Sequence, residues 1–199
     1  MFLNELLDAN RIRGIQTLSS LVRSKGGPLG KVLTTYLQDH LAGAMHAIEL
    51  LKAIRDHYAG KPLGQFASEL LIDIEADRNV LARLTENTGG ASGGPKEWAS
   101  WLAEKVSRLK LKHDSGDGLG TFEALEFLVL GIHGKRALWL ALAAVAPHDS
   151  RLFGTDFGTL IARAENQHAR VEEERLNCAR VVLGSLGGTL DDKRPTFKH

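Results

Sequence analysis

The sequence predicts an all-α protein: an antiparallel four-helix bundle with a crossover helix and a short N-terminal helical extension. Two observations carry that expectation. Leu and Ala together number 54 of 199 residues against 27 for Val, Ile and Thr, a balance that favours helix because straight or small side chains lose little rotamer freedom there. The five prolines, Pro28, Pro62, Pro95, Pro147 and Pro195, stand at junctions between long apolar-periodic stretches, where a first helical turn tolerates them and a helix interior does not. The length suits about one domain, divided into an extension over 1–27, a bundle over 28–186 and a polar tail over 187–199.

Taken in order, residues 1–27 carry enough Leu and Ile for one or two short helices docked on the bundle, and a loosely held segment is the other expectation. Residues 29–59 form the first long helix, ended by Gly60. A second runs over 62–88 and ends at Gly89-Gly90, and the two are joined by Gly60-Lys61 alone, too short for anything but antiparallel neighbours. A shorter amphipathic helix over 95–112 carries Trp98, Trp101, Leu102 and Leu109. Thr121, after a glycine-rich turn, is the expected N-cap of a helix over 122–146. That helix is apolar nearly all round, which implies cover on several sides, by the 95–112 segment or a second subunit. The last helix begins near Asp156 and runs to Leu183. About thirty residues separate the second helix from the 122–146 helix, enough to cross a bundle from end to end.

Several function classes lose support on composition. With 25 Lys and Arg against 24 Asp and Glu, nothing draws the chain toward nucleic acid or an anionic membrane. The lone Cys178 makes neither an internal disulfide nor a cysteine zinc cluster, which fits a reducing cytoplasm. No basic leader opens the sequence, and Glu126, His133, Lys135 and Arg136 interrupt its longest apolar stretch, so no membrane span is expected. Gly26-Gly27-Pro28-Leu29-Gly30-Lys31-Val32 has neither the spacing nor the hydroxyl of a phosphate loop. Asp114-Ser115-Gly116-Asp117-Gly118 lacks the ligand alternation of a calcium loop. No Gly-x-Ser-x-Gly elbow presents a serine nucleophile. Homo-oligomer formation stays open, since no residue pattern decides it.

Turning by about 100° per residue, the first helix places Leu37, Leu41, Ala44, Ile48 and Leu51 on one stripe with His40 on its flank. The second places Asp77 inside its stripe and Arg78 near the margin. The 122–146 helix inserts Glu126, His133 and Arg136 into apolar surroundings. On the last helix the expected inward face holds Glu165, His168, Glu172 and Arg175, an unusual set because burying an unpaired charge is costly.

Glu165-Asn166-Gln167-His168 gives a Glu-x-x-His on the last helix of such a bundle, which resembles the ferritin-like di-iron carboxylate proteins over roughly residues 34–183. The hairpin, crossover, hairpin order is theirs as well. In that family two helices each give a Glu and two give Glu-x-x-His, and two metal ions sit between them. The resemblance implies Glu165 and His168 as metal ligands, joined by Glu126, His40 or His133, with iron or manganese bound. The other half departs from the pattern: Arg78 stands where a His belongs, and the first helix offers His40 rather than Glu. Asp77, Glu126, Glu165 and Glu172 are nearly balanced by Arg78, Arg136 and Arg175, and a guanidinium bridges carboxylates as a metal would. The leading expectation is a metal-free core network of Asp77, Arg78, Arg136, Glu172 and Arg175 with no cofactor, in a protein with a binding, structural or stress-related role. The alternative is a non-haem iron or manganese redox protein built on Glu165 and His168.

Overall fold

The computed structural model describes residues 28–90 and 118–184. Four long helices account for most of them: α1 Pro28–His57, α2 Pro62–Asn87, α3 Leu119–Val145 and α4 Phe157–Val182. Two short 3₁₀ turns, Ala146–His148 and Ser150–Leu152, join α3 to α4. No strand occurs among the described residues. The expected helices at 95–112 and within 1–27, and the polar tail at 187–199, lie outside them.

α1 packs chiefly on α2 and α3 chiefly on α4, and the two hairpins meet through α1 with α3 and α2 with α4. Directions follow from the core. One apolar cluster joins Ile48, Leu51 and Ile54 of α1 to Leu70 and Ile74 of α2, Leu125 and Leu128 of α3, and Val171 and Cys178 of α4. A second joins Leu37 and Leu41 to Leu81 and Leu84, Leu138 and Trp139, and Leu160 and Ala164. Neighbouring helices are therefore antiparallel, while α2 runs parallel to α3 across the diagonal. Thr34 near the start of α1 donates to the Thr88 carbonyl just past the end of α2. At the other end Tyr58, after α1, shares a 2.8 Å hydrogen bond with Thr121 in the first turn of α3. The connection from α2 to α3 thus joins opposite ends of helices about 40 Å long.

Local sequence explains the ends. Gly60 closes the α1–α2 turn with φ +78°, a conformation that costs glycine nothing. A Cβ on Gly64 would lie 2.1 Å from the Tyr58 carbonyl oxygen, so the tight hairpin needs glycine there as well. Asp156 caps α4 by accepting from the Thr159 amide, as expected. Thr121 does not cap α3. The cap is Gly118, at φ 72°, and the Thr121 hydroxyl is buried one turn further on, bound to Tyr58.

The 95–112 segment expected as cover for α3 lies outside the described residues. Leu125, Leu128, Ile132 and Trp139 are buried, but Phe127, Leu130 and Leu140 on other faces are exposed. By length and composition Leu119–His148 is the one described helix apolar enough to cross a membrane, and 28% of its most apolar window is buried.

Candidate functional site

Between the two apolar clusters lies a polar layer. Asp77 follows Ile74 and precedes Leu81 on the inward stripe of α2, and it is 1% exposed. Lys135 of α3 donates to its Oδ2 at 2.5 Å. Gln167 of α4 donates to the same oxygen at 3.1 Å and, through its own carbonyl, accepts from Lys135. Arg163 of α4 donates to Oδ1. Three helices are tied by one carboxylate, and both of its oxygens are occupied. At the corresponding step of α1, between Leu41 and Ile48, stands the small Ala44.

The electrostatics of the layer are set by burial. Desolvation pushes the Lys135 ammonium below the usual lysine range, while Asp77 and, less strongly, Asp73 pull it back up. Asp73 lies one turn before Asp77 and is engaged at 3.0 Å by Arg170 of α4. Arg163 reaches the surface, with its side chain 32% exposed; there solvent screens part of its charge. The layer is an ion-paired cluster in which the cation belongs to the chain. Its carboxylate is engaged on both oxygens.

The expected network of Asp77, Arg78, Arg136, Glu172 and Arg175 is not assembled. Of the five only Asp77 is a buried residue, although the Arg78 Nε is itself shielded from solvent. Arg78 donates from one terminal nitrogen to Asn79 at 3.2 Å, on its own helix. Arg136 pairs with Glu165 at 2.8 Å, and Arg175 pairs with Glu172 at 2.6 Å and reaches Glu126 at 3.4 Å. The Arg136 and Arg175 pairs line the seam between α3 and α4. The physical reason is angular. The buried stripe of α4 is Leu160, Ala164, Gln167, Val171 and Cys178, so its centre passes through Gln167, an interior position of the Glu-x-x-His motif. Measured from Gln167, Glu165 is then turned about 160° away and His168 about 100°. Accordingly the Glu165 side chain is 52% exposed.

The metal candidates are distributed in the same way. Glu165 and Glu126 engage arginines in the seam. His133 and His168 face each other there with ring centroids 6.2 Å apart. His40 stacks edge-on against Tyr36 of its own helix at 4.7 Å, and burial lowers its pKa. Among the described residues no three His, Cys, Asp or Glu side chains converge as metal donors.

The residues that do converge with Asp77 had a signal in the sequence. Leu128, Ile132, Lys135, Trp139 and Leu142 recur at alternating steps of four and three, which puts Lys135 on the centre of the α3 seam. Gln167 holds the same place on α4. The chain matches no protein-family model, no curated protein and no solved structure at a significant level.

Proposed function

We propose that this protein is a ferritin-like helical bundle in which the layer of Asp77, Lys135, Gln167 and Arg163 stands in place of a di-iron centre, and that it acts as a binding or structural protein rather than as a redox enzyme. The helix order supports the ferritin-like part: a hairpin, a connection between opposite ends, a second hairpin, and α2 parallel to α3. The observation that carries the functional part is Lys135, whose ammonium sits on the one buried carboxylate of the described core. A di-iron centre brings at least four positive charges and needs several carboxylates free to meet them. Here the core offers one, and protein cations hold both its oxygens. The acidic groups of the seam are each engaged by an arginine.

Elemental analysis of freshly purified protein tests this reading. The expected result is no stoichiometric iron or manganese, and a melting temperature that a chelator leaves unchanged. One or two tightly bound ions per chain, lost in Glu165→Ala and His168→Ala, would overturn it in favour of a metal-dependent redox protein.

A further inference from the structure

The seam between α3 and α4 holds two groups that neither the buried layer nor the flanking ion pairs use. Glu126 of α3 lies opposite Arg175 of α4, and further along the seam Arg136 lies opposite Glu165. In an antiparallel pair both contacts belong to one register, and that register sets residue 133 against residue 168. Both are histidines, and their ring centroids are 6.2 Å apart at an interplanar angle of 60°. Their sequence neighbours Ile132 and Gln167 are buried, so the backbone that carries the two rings is anchored in the core. His133 itself is exposed and His168 half-buried, which leaves the pair open to small solutes.

Two neutral imidazoles on adjacent helices are donors suited to zinc, copper or nickel. At a Zn–N distance of ~2.0–2.1 Å, with each ring centre about 1.1 Å beyond its nitrogen, two imidazoles on one tetrahedral ion have centroids about 5 Å apart. The observed pair is wider by about 1 Å, and because histidine χ2 is a soft torsion the rings reach that spacing by turning toward each other. Charge favours a cation there as well. Three carboxylates, Glu126, Glu165 and Glu172, share the seam with two guanidiniums, Arg136 and Arg175, which leaves one negative charge beside the rings. Glu172 stands one turn from His168 on α4; the hydrogen bond from Arg175 holds its carboxyl below the usual range, and positive charge on His168 adds to that.

The geometry points to a zinc-binding site formed by His133 and His168 across the α3–α4 seam, with water completing the coordination. Among the described residues no third His, Cys, Asp or Glu converges on the pair. The site therefore keeps open positions, and its ion exchanges with solution, unlike the ion of a closed four-ligand structural site. A bound ion ties α3 to α4. The site uses none of the residues of the Asp77 layer and does not depend on what that layer replaces.

Isothermal titration calorimetry of zinc chloride into the full chain tests this, after chelator treatment and desalting so that the titration reads this pair whatever the metal content at isolation. One zinc per chain is expected. With zinc about a hundredfold above the dissociation constant, the melting temperature should rise by roughly 5–10 °C. His133→Ala and His168→Ala should each lose at least ~10-fold in affinity, since even a group that only orients a ligand is worth ~10–100-fold, and with it most of the rise. His133→Ala, at an exposed position, should melt as wild type does without zinc. Glu165→Ala should keep the zinc response, which separates this pair from a Glu-x-x-His site in which that carboxylate is a ligand. The proposal is overturned by a wild type whose melting temperature zinc leaves unchanged, by an equal response in His133→Ala, or by a Glu165→Ala variant that loses the response as fully as His133→Ala does.

Discussion

Removing the Asp77 carboxylate is the sharpest perturbation of the core. In Asp77→Ala the Lys135 ammonium keeps only the Gln167 carbonyl as a partner, with its side chain 14% exposed. Stranding one member of a buried ion pair typically costs ~3–5 kcal/mol. For a chain of this size each kcal/mol lowers the melting temperature by roughly 2–4 °C, so a loss on the order of 6–20 °C is expected. Lys135→Met should cost less, about 1–2 kcal/mol, because Asp77 keeps its bonds from Arg163 and Gln167 and only part of its satisfaction is lost. Joining Asp77→Leu to Lys135→Met removes both charges and should recover most of the stability, since an apolar pair of similar volume often replaces a buried ion pair without loss. Urea unfolding followed by circular dichroism gives all three values. A cost below about 1 kcal/mol for Asp77→Ala, or a double variant no more stable than Asp77→Ala, would refute the buried ion pair.

Other consequences are separately measurable. Glu165→Ala should change stability by no more than about 1 kcal/mol, because its pair with Arg136 is solvent-exposed and such pairs contribute little; a loss as large as that of Asp77→Ala would place Glu165 in the core. Gly64→Ala should destabilise by ~1–3 kcal/mol, since its Cβ would press on the Tyr58 backbone, which cannot yield as a flexible side chain would; unchanged unfolding would refute the contact. The hydrogen bond from the Arg151 side chain holds the Asp149 carboxyl below its usual 3.8. Its contribution is therefore present above that value and is lost as pH falls through the lower, folded-state pKa. Arg151→Ala should flatten that part of the acid limb of a melting-temperature profile, and an unaltered limb would count against the pair. Cys178 is buried with its thiol pushed up to about 11, so iodoacetamide should label it only after unfolding; labelling of the native chain at neutral pH would contradict its placement.

The helix frame was legible because its signals are local. Proline and glycine punctuation puts the expected helix ends within three residues of those observed, and the Gly60-Lys61 link dictates an antiparallel hairpin. Of the inward stripe of α1, Leu37, Leu41, Ile48 and Leu51 are buried and Ala44 is half-buried, because apolar side chains at period 3.6 have one place to go. Asp77 was legible on the same ground, as the one acid on the central stripe of α2. Its partners were not, and the reason is physical. On α4 the charged types Glu165 and His168 carry the recognisable motif, whereas the neutral Gln167 between them carries none, although a buried amide costs less to satisfy than a buried charge. On α3 Lys135 resembled an interruption of an apolar run. Its long stem and single charge let it lie in the seam and meet an acid on the diagonal helix, a pairing between residues 58 apart that no local pattern encodes. The outer face of α3 is the converse case. Hydrophobicity all round a helix says that every side needs cover without saying which segment gives it, because cover is a long-range contact, and the 95–112 segment expected there lies outside the described residues.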